Sequence, residues 1–177
     1  MDSMEQSIKA YIRARKRLDS ACEAYIKTCK AVGQSTVVLS ETDEVFTALN
    51  EALFWGISLY ERKYECADDF MSAVKYVSNT IKHQIHAFQI YSFCHPGIAV
   101  SVEVDDSLNE PVIQAVSIEP ALVFGKLDDV PARQKGNRQR NQYIQLLQEK
   151  PILEVMIRFD TVLQESYPSD LWVNRQI

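Results

Sequence analysis

Apolar residues recur at helical spacing over residues 4–31, where Ile8, Tyr11, Ile12, Leu18, Cys22, Tyr25, Ile26 and Cys29 line one face. Arg13, Lys16, Arg17 and Glu23 occupy the other face, and Gly33 is a natural stop. This predicts one long amphipathic helix. A second helix is predicted over about 42–65. Ser40 and Asp43 supply the capping signal, acidic residues fill the first turn, and Val45, Phe46, Leu49, Leu53, Gly56, Tyr60 and Tyr64 form the stripe. Phe54 and Trp55 fall partly off that stripe, so this helix is expected to meet partners on two sides. A mid-helix glycine costs about 1 kcal/mol relative to alanine, and a close helix crossing at Gly56 would account for it. "ADDF" opens a third helix that buries Phe70, Ala73, Val74, Val77 and Ile81.

The period then shifts towards two. "HAFQIYSF", "AVSVEV" and "PVIQAVSIEP" are β-prone, with turn signals at Pro96-Gly97 and "DDSLNEP", so a small antiparallel meander is expected across about 88–119. Such a sheet is weak alone and should pack on the helices. "KLDDVPARQKGNRQRNQ" is the most polar segment and reads as a loop. Beyond it, Tyr143, Leu146 and Leu147 make a short apolar face. Pro151 starts a helix burying Ile152, Val155, Met156, Phe159 and Leu163, and Trp172 lies in a tail positioned to dock back. The fold class is therefore mainly α with a small antiparallel β insertion. One domain is expected over 1–177, with a helical core at 1–87, a β-rich insertion at 88–119, and a loop with C-terminal helices at 120–177.

The totals narrow the function classes. A net charge of -5 argues against a sequence-independent DNA binder. No apolar run approaches the ~18 residues that span a bilayer, and the N-terminus has no apolar signal core. The four cysteines, Cys22, Cys29, Cys66 and Cys94, form no C-x-x-C pair, which suits reduced thiols in a cytoplasmic protein. Cys22 and Cys29 read as core thiols. No phosphate loop or dinucleotide fingerprint occurs, and no cofactor is expected. His83, His86 and Cys94 have metal-ligand chemistry, but H-x-x-H suits one helix face less well than an i,i+4 pair, so no metal site is expected. The cluster Arg13, Arg15, Lys16 and Arg17 is diluted by nearby acids and reads as a solvated face.

The chemistry worth pursuing lies in "VKYVSNTIKHQ", where Asn79, Lys82 and His83 make an N-x-x-K-H run. This segment, with its two preceding helices and following β-rich stretch, resembles the HEPN-like helical bundles. The resemblance is firm over about ten residues and otherwise one of arrangement. It implies a homodimer and, in the ribonuclease branch, metal-independent cleavage of RNA by an arginine and a histidine. Carried over, the polar residue is Asn79 and the histidine His83, while the arginine position falls on Ser78. A serine cannot supply the charged fork that a phosphate requires.

Two readings follow from the resemblance. One is a non-enzymatic binding module, in a bacterial stress or phage-defence setting, with a protein partner or RNA. The other is an endoribonuclease using His83 and Asn79. Lys75, Lys82, Arg133, Lys135, Arg138 and Arg140 are the candidate RNA or phosphate contacts. The enzyme reading expects Asn79 and His83 to face an open groove near a cation. The binding reading expects them to be buried or bonded to backbone, with an exposed apolar patch around Trp55 or Trp172. A purely structural scaffold would share the same sequence.

Overall fold

The computed structural model describes residues 3–32, 36–38, 43–65, 67–83, 90–93, 97–105, 110–118, 121–125 and 138–172. Five helices dominate: α1 (Ser3–Val32), α2 (Glu44–Lys63), α3 (Asp69–His83), α4 (Arg138–Leu146) and α5 (Ile152–Ser166). Five strands accompany them: β1 (Thr36–Val38), β2 (Ile90–Phe93), β3 (Gly97–Asp105), β4 (Glu110–Ile118) and β5 (Ala121–Phe124). A 3-10 turn follows at Ser169–Leu171. The described part is a mostly helical bundle. No described helix is long and apolar enough to cross a membrane.

The helix ends follow local chemistry. The Asp68 carboxylate accepts the Met71 N–H at 2.7 Å, a side-chain cap for α3. Asp43 stands at the start of α2 without a side-chain cap bond, and its carbonyl accepts the Thr47 N–H at 3.1 Å instead. Pro151 precedes α5, where its missing N–H is no loss.

Packing uses the stripes already described. Ile8, Tyr11, Leu18, Leu49, Leu53, Met71, Ile152, Phe159 and Leu163 are buried together in one core. α1 and α2 run antiparallel, because Arg17 of α1 reaches Glu44 and Glu51 near the start of α2, while Arg62 near its end lines a groove with Ser3 and Gln6. α2 and α3 are antiparallel as well: Lys75 meets Glu61, and Lys82 lies over the Phe54 ring. α4 covers the outer side of α3, with Tyr76 and Tyr143 rings 5.4 Å apart. α5 closes the bundle at Gly56. A Cβ on Gly56 would stand 2.5 Å from Phe159 Cε1 and 2.8 Å from Tyr11 Cε2, so the expected close crossing is present and excludes a side chain.

The β region is not the expected meander. β2 pairs with β1 on one side and β5 on the other, giving a three-stranded antiparallel sheet in the order β1-β2-β5. β3 and β4 form a separate two-stranded hairpin between them in sequence. The loop expected across "KLDDVPARQKGNRQRNQ" is also shorter than read, because Arg138 and Arg140 already belong to α4. β5 contributes to the core: Leu122, Val123 and Phe124 are buried. The Tyr143 hydroxyl donates to the Gly125 carbonyl at 2.6 Å, and the Glu149 N–H donates to the Phe124 carbonyl at 2.8 Å. Glu149 makes that bond from the left-handed region, at φ 60°.

Candidate functional site

The motif helix presents three faces. Its inner face carries Val74, Val77 and Ile81 into the core. Ser78 is also buried, at 1% exposure, and its hydroxyl has no hydrogen-bond partner among the described residues. Thr80 is buried and donates to the Tyr76 carbonyl at 2.8 Å. Asn79 and Lys82 are exposed. The position that the resemblance assigns to a phosphate-binding arginine therefore points inward, while Asn79 lies outward. The backbone of His83 closes α3, and its side chain lies outside the described residues.

The candidate phosphate contacts do not converge. Lys75 is partly buried, pairs with Glu61 at 2.9 Å and lies 5.7 Å from the Tyr60 ring centre. Lys82 lies 5.5 Å from the Phe54 ring centre. Arg138 pairs with Asp69 at 2.9 Å, and the same carboxylate accepts the Gln142 amide. Arg140 is partly buried, with no partner for its Nε among the described residues. Arg133 and Lys135, and the metal-ligand types His86 and Cys94, lie outside the described residues. Among the described residues no three His, Cys, Asp or Glu side chains gather as metal ligands.

The apolar-patch expectation divides. Trp172 docks back into the core, edge-on to Tyr11 with ring centres 6.4 Å apart, and is not a surface patch. Phe54 is 47% exposed and stands edge-on to half-buried Trp55 at 5.2 Å. Trp55 in turn lines a groove between α1 and α2 of about 780 Å³, together with Ser3, Lys9, Ile12, Arg13, Lys16 and Arg62.

The solvated-face reading of Arg13, Arg15, Lys16 and Arg17 holds for Arg13, Lys16 and Arg17, which are exposed, and fails for Arg15, which is buried. Arg17 faces α2 and forks onto Glu44, Nε to Oε1 at 2.5 Å and Nη2 to Oε2 at 3.0 Å, with Glu51 as a further partner. The hydrogen bond from Arg17 holds the Glu44 carboxyl below its usual range. Arg15 turns inward. Arg13 and Lys16 are exposed, line the groove, and have no ion pair among the described residues. Arg62 joins them from α2, whereas Lys9 pairs with Glu5 at 2.6 Å. In a chain with 24 acidic and 19 basic residues, this is a local reversal of charge beside an aromatic pair.

A second cluster was missed from the sequence. Arg15 is 2% exposed and donates from Nε to Asp160 Oδ2 at 3.0 Å, and a second nitrogen bonds Asp19. The buried Tyr11 hydroxyl donates to the other oxygen of Asp160. Burial raises the Asp160 carboxyl, opposed by its bonds from Tyr11 and Arg15. Burial and the adjacent Asp160 charge raise the Tyr11 phenol well above its ordinary value. The cluster borders a cavity of about 320 Å³ lined also by Asp19, Ile157, Thr161 and Gln164. A signal was available: Arg15 stands four residues after Tyr11 and Asp160 four after Met156, so both charges occupy apolar-stripe positions. Its geometry ties α1 to α5 and is fully accounted for by that task.

Comparison of the chain with protein-family models, with curated proteins and with solved structures finds no match.

Proposed function

We propose that this chain is a non-enzymatic binding module built on a HEPN-like helical bundle, acting as a cytoplasmic homodimer in a bacterial stress or phage-defence setting. The observation that carries this reading is Ser78. It holds the place of the phosphate-binding arginine and is buried at 1% exposure, so that position offers neither charge nor access. Cations with no ion pair among the described residues instead gather in the α1–α2 groove beside Trp55, where Arg13, Lys16 and Arg62 form a surface suited to an anionic partner. We take that groove as the binding surface.

One observation favours the second reading, a metal-independent endoribonuclease. Asn79 is exposed rather than buried, on the same side of α3 as exposed Lys82. The deciding experiment incubates a mixed labelled RNA pool with the wild type and with His83→Ala in EDTA, with circular dichroism confirming that both are folded. The expected result is no cleavage by either. Cleavage by the wild type that is lost in His83→Ala overturns the binding-module reading in favour of the nuclease.

A further inference from the structure

We infer that the α1–α2 groove takes a small amphipathic anion, a molecule with an apolar body and one acidic head. The inference rests on the groove being the binding surface, and it names the chemistry of the ligand.

The hollow has a cause in the sequence. Ser3, Ser7 and Ala10 recur at helical spacing along the side of α1 that lines the groove, and none is long enough to fill the space against α2. The Ser7 hydroxyl donates to the Ser3 carbonyl at 3.0 Å, so it is already satisfied within the helix. Buried Ile12 and half-buried Trp55 add apolar surface. From Ser3 to Lys16 the α1 wall runs roughly 20 Å, at about 1.5 Å per residue. The volume of about 780 Å³ falls within the roughly 300–1,000 Å³ of small-molecule sites, which pair an apolar lining with a few polar groups.

The charges stand at the rim. Arg13, Lys16 and Arg62 are exposed and line the groove. Long basic side chains lay their methylene stems along apolar surface and keep the charged end in water. An apolar body lying in the groove therefore leaves its head at the level of these cations. Arg13 also shares with Trp55 and Ala10 an adjoining cavity of about 340 Å³, so cation and aromatic ring border the same space.

Carboxylates bound this positive patch and select against a long partner. One turn beyond Arg13, Arg17 is taken up by Glu44 and Glu51, and Glu51 borders the adjoining cavity. Lys9 is answered by Glu5 at 2.6 Å. A polyanion continuing out of the groove meets these acids and a net charge of -5, whereas a compact anion meets only the local cations. Trp55 is the one aromatic among the groove's described lining residues, too few to stack successive bases. A lipid surface requires a raised apolar face, and this apolar lining is recessed between two helices.

The test is isothermal titration calorimetry of the full chain with decanoate, kept below its micellar concentration, and with 1-anilinonaphthalene-8-sulfonate. Both are expected to bind at one site per chain. Decanol, which has the same body and no charge, is expected to bind at least about 10-fold more weakly than decanoate. Arg13→Ala with Lys16→Ala should weaken decanoate by about 10-fold, and added salt should weaken it in the wild type. Ala10→Phe keeps every cation and fills the floor, and should abolish binding of both probes. Trp55 emission should respond to either probe, and the response should be absent from Trp55→Phe, because Trp172, the second of the two tryptophans, is buried against Tyr11. Circular dichroism checks the folding of each variant. The exposed pair Arg13 and Lys16 keeps the test valid if Ala10→Phe does not fold.

No binding of either probe overturns the proposal, as does equal binding of decanol or binding that the folded variants leave unchanged. Parallel titrations with fluorescein-labelled oligoglutamate and with phosphatidylglycerol vesicles separate the two levels of inference. Binding of either one that is lost in the Arg13→Ala, Lys16→Ala variant, with no binding of decanoate or the sulfonate, overturns the small ligand and leaves the groove as a binding surface. No binding in any titration overturns both.

Discussion

Replacing Asp160 with alanine removes the acceptor shared by Arg15 and Tyr11. Arg15 is 2% exposed and Asp160 7%, so both groups are buried in the folded chain. Breaking one side of a buried ion pair costs about 3–5 kcal/mol; Arg15 keeps Asp19 on one nitrogen, but its buried Nε loses its acceptor. The Tyr11 hydroxyl also loses its acceptor, within that figure. For a chain of 177 residues, each kcal/mol moves the melting temperature by about 2–4 °C, so Asp160→Ala is expected to melt roughly 6–20 °C lower. The informative companion is Arg15→Met combined with Asp160→Leu, which replaces the pair with apolar groups. Asp19 then also loses its partner, but its side chain is 34% exposed and water can solvate it. The double variant should therefore be more stable than Asp160→Ala, despite carrying more substitutions. Urea and thermal unfolding followed by circular dichroism at pH 7 measure both. A loss below about 1 kcal/mol for Asp160→Ala, or a double variant less stable than the single one, refutes the claim that this buried charge pair ties α1 to α5.

Three further outcomes follow from single sites. Gly56→Ala should destabilise by about 1–3 kcal/mol in urea unfolding, although alanine is the better helix former, because its Cβ would meet Phe159 at 2.5 Å. Glu149→Gly should raise the unfolding free energy measured in urea by up to about 1 kcal/mol, since glycine adopts φ 60° without the Cβ penalty and the backbone bond to Phe124 is retained. Alkaline stability follows from groups whose folded values are raised by burial: Cys22, pushed up to about 12, and Tyr11, Tyr76 and Tyr167. Each contributes stability that is complete below its unfolded value, 9.0 for the thiol and 10.0 for the phenols, and is lost as pH rises through the folded value. Unfolding free energy should fall from about pH 9 upward, and Tyr11→Phe should fall less steeply than the wild type in the same titration.

The candidate site was only partly legible. The N-x-x-K-H run drew attention to the motif helix, yet the neighbouring Ser78 is packed inward and the Lys75 ammonium is held by Glu61. Spacing placed Arg13, Lys16 and Arg17 on one polar face. It could not tell that Arg17 would be claimed by two glutamates of α2 while Arg13 and Lys16 pair with no acid among the described residues, because that depends on where another helix lies. Trp55 was marked as lying off the stripe, but its place in a groove required α1 beside it.

The helices belong to the sequence. Apolar stripes on α1, α2, α3 and α5 recur at helical spacing, and each buries most of the residues its period assigns, because one helix face is decided by local geometry alone; the exceptions are Tyr64, 40% exposed, and partly buried Tyr25 and Ile26, while the side chain of Cys29 lies outside the described residues. Long-range pairing belongs to the tertiary structure. Tyr11 and Asp160 are separated by 149 positions, and no local pattern couples a charge on the first helix to one on the last. The same holds for the sheet. β-prone runs were visible, but whether β2 would pair with β3, its neighbour in sequence, or with β5 depends on which strand the core can cover. Leu122 and Phe124 are buried in that core, and β2 pairs with β5. Period fixes which face of an element is apolar; only the packed bundle decides what that face meets.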